Sequence, residues 1–118
     1  MDKLAVIIHD GESLQQVEMG LLDHGFDVTV FSHPVSALQF MPTIRPVDLL
    51  VADYRLLEQI GLDVLGSLRS VLSVRQLVVA VSSGHQATGE VVTQWRIDRV
   101  LSKPIRVEEL LIPQEGAV

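Results

Sequence analysis

The hydrophobic positions along this chain change period repeatedly. Leu4-Ala5-Val6-Ile7-Ile8 is an unbroken apolar run, the pattern of a strand covered on both faces. Behind it Leu14, Val17, Leu21 and Leu22 form one helical stripe, which Gly25 closes. Val28-Thr29-Val30-Phe31 predicts a second strand. Val35, Leu38 and Met41 predict a second helix, with Pro34 in its first turn and Pro42 near its end. The third strand runs over Asp48-Leu49-Leu50-Val51-Ala52-Asp53, apolar between two carboxylates. Gly61 then opens a segment where Leu62, Leu65, Leu68 and Leu72 repeat helically. The fourth strand, Gln76 to Ser82, is the most apolar. Between Gln86 and Ile97, Val91, Val92 and Trp95 suit a short helix that Thr88-Gly89 and Thr93 weaken. Arg99-Val100-Leu101-Ser102 reads as a short fifth strand. Val107, Leu110 and Leu111 begin a last helix, which Pro113 stops.

Strands alternating with helices predict an α/β fold, a doubly wound five-stranded parallel sheet with helices on both faces. The chain of 118 residues is one domain's worth. At 47% hydrophobic residues it has the means to bury a core, which excludes a disordered chain. Nine Lys+Arg against 15 Asp+Glu leave a net charge of −6 without a basic cluster, so no direct nucleic-acid or anionic-membrane binding is expected. The absence of cysteine excludes disulfides and thiolate chemistry. No apolar run approaches the roughly 18 residues of a membrane span or forms a signal-peptide core. The expected location is cytoplasmic.

In a parallel sheet of this kind ligands sit at the carboxyl ends of the strands. Four of the five predicted strands end in polar groups: His9-Asp10, Asp53, Ser82-Ser83 and Ser102-Lys103-Pro104. Two carboxylates, a hydroxyl and an ammonium on one edge suit Mg²⁺ and a phosphoryl group. Paired aspartates repel unless a hard cation lies between them, and a metal-neutralised carboxylate can act as a nucleophile. Lysine and serine would stabilise charge on the phosphoryl oxygens. Taken singly, each aspartate also reads as a turn or cap residue. His24, His33 and His85 have no partners at metal-ligand spacing and read as surface residues, and Trp95 reads as a packing residue.

In order and spacing these residues resemble the receiver domain of bacterial two-component response regulators. The resemblance runs from Leu4 to about Leu111. It rests on Ile8-His9-Asp10, Gly25-Phe26-Asp27-Val28, Ala37-Leu38, Asp48 through Leu56, Gly61, Val81-Ser82-Ser83 and Lys103-Pro104. It implies a flavodoxin-like sheet of order 2-1-3-4-5, a receiver domain over 1–112, and a tail or the start of a linker over 113–118. Asp53 corresponds to the phosphoacceptor. Asp10 corresponds to the direct Mg²⁺ ligand, joined by Asp53 and the backbone carbonyl of Arg55. Ser82 matches the hydroxyl that turns toward the phosphoryl group, Lys103 the lysine that pairs with it, and Lys103-Pro104 a cis peptide. The implied partners are a sensor histidine kinase or phosphotransfer protein and an output domain or partner protein. A homodimer would form through the fourth helix, fifth strand and fifth helix. The implied role is signalling, with self-catalysed phosphorylation and dephosphorylation only, rather than metabolic catalysis.

Three residues depart from that pattern. His9 stands where a second acid is usual, which is expected to weaken Mg²⁺ binding and leaves His9 either an outer-shell neighbour of the metal or a partly exposed strand-end residue. Val100 stands where the family has an aromatic rotor. Leu57 replaces a frequent proline, a change expected only to free the loop after Asp53. Two other readings stay open. His9 and Val100 favour a pseudo-receiver that binds a partner without phosphorylation. A small flavodoxin-like or nucleotide-binding protein is opposed by His9-Asp10-Gly11-Glu12-Ser13, which is no Gly-rich phosphate loop.

Overall fold

A computed structural model describes residues 3–9, 11, 14–40, 46–82 and 89–111. Five parallel strands form one sheet: β1 (Leu4–Ile8), β2 (Asp27–Phe31), β3 (Leu49–Asp53), β4 (Leu77–Val81) and β5 (Arg99–Ser102), in the order β2-β1-β3-β4-β5. Every residue of β1, β3 and β4 is buried, which is why those three stretches are apolar without alternation. The outer strands β2 and β5 are partly exposed and carry polar residues.

Around them run α1 (Gln15–Asp23), α2 (Pro34–Phe40), α3 (Tyr54–Ile60), α4 (Val64–Val71), α5 (Gly89–Gln94) and α6 (Val107–Leu110). The pleat of the central strands divides the core in two. Leu4, Val6, Ile8, Leu50, Ala52, Val79 and Val81 face one layer, packed with residues of α2, α3, α4 and α5. Ala5, Ile7, Leu49, Val51, Val78 and Ala80 face the other, with Val17 and Leu21 of α1 and Leu110 of α6. Gly20 lets α1 and α6 approach closely, since a Cβ there would lie 2.8 Å from the Val107 Cβ.

The hydrophobic pattern predicts one helix between the third and fourth strands, and the structure has two. α3 leaves β3 without a loop, and its carboxyl end meets Gly61, whose φ is +122°. The Leu57 carbonyl accepts from the Gly61 N–H, and the chain then turns into α4. The expected freeing of a loop at Leu57 is thereby overturned. Leu57 is a helical residue, fully buried in the α3 side of the core.

Candidate functional site

Strand register fixes the carboxyl edge of the sheet. Ile8 pairs with Ala52, Asp53 with Ala80, and Val81 with Ser102. His9, Asp53, Ser82 and Lys103 therefore stand at the same ends of β1, β3, β4 and β5. Asp10 lies outside the described residues, and so does Ser83.

Asp53 is the last residue of β3 and the N-cap of α3. Its Oδ1 accepts from the Arg55 backbone N–H at 3.0 Å, satisfying one donor at the start of that helix. Its Oδ2 accepts from Lys103 Nζ at 2.7 Å. The Asp53 side chain is 2% exposed and that of Lys103 16%. A carboxylate this deeply buried needs both partners to offset the loss of water. The ammonium has to cross from β5 over β4 to β3, two strand spacings or roughly 9–10 Å. A long, unbranched side chain is what closes that gap. The Val81 carbonyl accepts from the Lys103 N–H at 2.8 Å, continuing the β4–β5 ladder one residue past the strand and setting the lysine at the sheet edge. The Lys103-Pro104 peptide is cis, as the resemblance implies.

The structure thus joins Asp53, Lys103 and the Arg55 backbone in one contact set. Ser82 follows directly on β4, is exposed, and makes no hydrogen bond to Asp53. His9 is held at the end of β1 by its N–H, which donates to the Phe31 carbonyl at 3.0 Å. It is 6% exposed rather than partly exposed, and its Nδ1 has no hydrogen-bond partner among the described residues. His9 also borders a shallow polar cavity of about 580 Å³ with Gln15, Glu18 and Ser32. Val100 is partly buried against the layer that carries α3 and α4.

Sequence reasoning missed one neighbour of the site and one helix cap. Tyr54 is 7% exposed, packed in the core directly after Asp53. Burial, assisted by the Glu58 carboxylate one turn on, pushes its phenol above the ordinary tyrosine value. His33 caps the start of α2, its Nδ1 accepting from the Val35 N–H at 3.1 Å. A histidine one residue ahead of Pro34 was the available signal for that cap.

The donor set is chemically suited to a hard divalent cation. Asp53 offers carboxylate oxygens, the hard ligands that Mg²⁺ prefers. The Arg55 carbonyl that the resemblance implies as a further ligand does not face them: Arg55 lies in α3, its N–H points at Asp53 Oδ1, and a helical carbonyl points the other way, toward the carboxyl end of the helix. Among the described residues no group of three or more His, Cys, Asp or Glu side chains could hold a metal by itself.

No protein-family model matches this sequence, and no curated protein matches it. Solved structures do match its fold. A response regulator from Burkholderia pseudomallei, crystallised with a phosphorylated aspartic acid, a calcium ion and citrate, is 24% identical with a TM-score of 0.74. The match covers 93% of this chain and 65% of that one, a little under two thirds of its length. A response regulator receiver domain from Clostridium thermocellum is 19% identical with a TM-score of 0.76, covering 98% of this chain and 93% of that one. The receiver domain of a modulated diguanylate cyclase from Desulfovibrio desulfuricans G20 is 22% identical with a TM-score of 0.76, covering 93% and 88%. The chain therefore has the fold of response regulator receiver domains, with the strand order 2-1-3-4-5 expected of them.

Proposed function

We propose that this chain is a phosphoacceptor receiver domain of two-component signalling, with Asp53 as the acceptor. The observation that carries the proposal is the Asp53 carboxylate at the carboxyl edge of a receiver-type sheet, paired at 2.7 Å with Lys103. In the transfer a carboxylate oxygen of Asp53 forms the new bond to phosphorus while the bond from phosphorus to the donor's imidazole nitrogen breaks. Lys103 stabilises charge on the phosphoryl oxygens, and Ser82, exposed beside it, is free to turn toward them. Asp10 and Asp53 would hold Mg²⁺, which supplies charge neutralisation at the transferring group. The role is signalling: phosphorylation shifts the equilibrium of the β4–α5–β5–α6 surface and so alters partner binding. The donor is a sensor kinase or phosphotransfer protein, and the receiver of the signal an output domain or partner protein. No described helix is long and apolar enough to cross a membrane.

Intact-mass measurement after acetyl phosphate and Mg²⁺ tests this. The wild-type chain is expected to gain one phosphoryl group and Asp53→Asn none. Asparagine caps a helix about as well as aspartate, so the variant keeps α3 in place. A gain that survives Asp53→Asn moves the acceptor elsewhere.

The second reading is a phosphorylation-independent interaction module, favoured by His9 and Val100. It is upheld if no gain occurs with saturating Mg²⁺ and a cognate kinase.

His9 also yields a prediction about the metal. A nearly buried imidazole beside the site contributes no fixed negative charge when neutral. His9→Asp is expected to tighten Mg²⁺ binding by about tenfold, since one more carboxylate close to a doubly charged ion is worth about a kilocalorie per mole even where solvent screens it. Calorimetric Mg²⁺ titration of both proteins reads this directly. Equal affinities would remove His9 from the metal's surroundings.

A further inference from the structure

A second cavity opens at the other edge of the sheet. It has a volume of about 460 Å³ and is walled by Gly66, Arg69 and Ser70 of α4 and by Gln94, Trp95 and Arg96 at the end of α5. The Asp98 N–H donates to the Leu77 carbonyl, placing this wall at the amino ends of β4 and β5. A whole strand length separates it from Asp53, so it is independent of the phosphoacceptor reading.

Two residue choices that are locally unfavourable meet here. Glycine inside a helix is less stable than alanine. At Gly66 a Cβ would lie 3.7 Å from Trp95 Cζ3, ordinary contact, so sterics do not require the glycine. Its absence of a side chain leaves space beside the indole instead. Arg96 has φ +55°, a left-handed conformation that side chains resist. It ends α5 in a Schellman turn, with the Ile97 N–H donating to the Val92 carbonyl and the Arg96 N–H to the Thr93 carbonyl. The same turn after α1 uses Gly25, at φ +85°. At Arg96 an arginine occupies the position that glycine fills most easily.

The chemistry of the wall is one-sided. Among the described residues lining the cavity none is a carboxylate, although the chain carries a net charge of −6. Arg69 Nη1 donates to the Arg96 carbonyl at 2.6 Å and to Asp98 Oδ2 at 3.1 Å, which fixes that guanidinium; among the described residues its other donors have no partner. Arg96 is exposed, and its guanidinium has no partner among the described residues. Trp95 is half-buried, packed on one side against the core. An arginine fork, an indole, a hydroxyl and a carboxamide together suit a flat ring bearing an anionic group. The ring can lie against the indole and the guanidinium, the anion can take paired N–H donors, and the ring edge can bond to Ser70 and Gln94. The volume falls within the range of small-molecule sites.

We infer that the groove formed by Gly66, Arg69, Ser70, Gln94, Trp95 and Arg96 is a binding site for a nucleoside monophosphate. Because the chain has one tryptophan, its indole N–H gives a single NMR cross-peak that reports on this groove. Adenosine and guanosine monophosphates are titrated into the full chain, beside inorganic phosphate and adenosine alone. At least one of the monophosphates is expected to shift the Trp95 cross-peak saturably, with phosphate or adenosine alone binding about tenfold or more weakly. Arg96→Gly is expected to weaken binding about tenfold while melting no lower than wild type, because glycine relieves the left-handed turn. Gly66→Leu, which fills the space beside the indole, is expected to remove the shift. The site is overturned if neither monophosphate moves the cross-peak. It is equally overturned if Arg96→Gly binds as tightly as wild type, or if inorganic phosphate reproduces the whole effect. Asp53→Asn should bind as wild type, which keeps this result separate from the phosphorylation experiment.

Discussion

Lys103→Met is expected to lower the unfolding free energy by about 3–5 kcal/mol, the cost of leaving a buried carboxylate without its cation. The Asp53 side chain is 2% exposed, so water cannot take the place of the ammonium 2.7 Å away. Methionine keeps most of the apolar stem, which confines the change to the charge. Among the described residues the hydrogen bond that remains, from the Arg55 N–H to Oδ1, is too little to hold a full negative charge away from water. The double variant Asp53→Asn/Lys103→Met should recover most of the loss, because the orphaned charge is gone. Urea unfolding of the four proteins in this cycle gives the coupling energy directly. A loss below about 1 kcal/mol for Lys103→Met would mean that the pair behaves as a solvated surface bridge.

Leu57→Ala is expected to cost about 2–5 kcal/mol, as for other fully buried leucines cut back to a methyl. Leu57 lies in the core layer with Tyr54, Leu56, Leu65 and Leu68, so the cavity left behind is walled by α3 and α4 and cannot fill with water at low cost. Ile60, three residues on in the same helix, is 37% exposed. Ile60→Ala should therefore cost about 1 kcal/mol or less, and the contrast separates burial from helix propensity. If Leu57→Ala behaved like Ile60→Ala, the segment after Asp53 would be the loop that the hydrophobic pattern suggests. Displacing α3 would also disturb Asp53, since the same residue ends β3 and caps α3.

That capping role shows how two readings of one residue coexist. From sequence, an aspartate at a strand end is either a cap or a site residue. Asp53 is a helix cap through Oδ1 and pairs with the candidate site's lysine through Oδ2. Sequence spacing could place Lys103 at a strand end, yet it could not show that the side chain reaches past β4. The His9 position went the other way. Of the two readings open for it, an outer-shell neighbour of the metal or a partly exposed strand-end residue, the exposure in the second does not hold: it is nearly buried, because the end of β1 is central in the sheet, flanked by β2 and β3.

What the sequence determined by itself is the sheet. Unbroken apolar runs at Leu4–Ile8 and within Leu49–Asp53 and Leu77–Val81, each too short for a helix of ordinary length, read as strands covered on both sides, and all fifteen residues of those strands are buried. Strand number, parallel pairing and the convergence of polar ends follow from those runs and the helical stripes between them. Only the tertiary structure decided the segment after Asp53. Tyr54 to Ile60 has too few residues for its period to stand out, and its helix forms because Asp53 caps one end, Gly61 turns the other, and Leu57 finds a closed apolar layer. Tertiary structure also decided which polar ends touch. Reach across a strand, burial and a shared helix cap depend on three-dimensional distance, and period along the chain does not encode it.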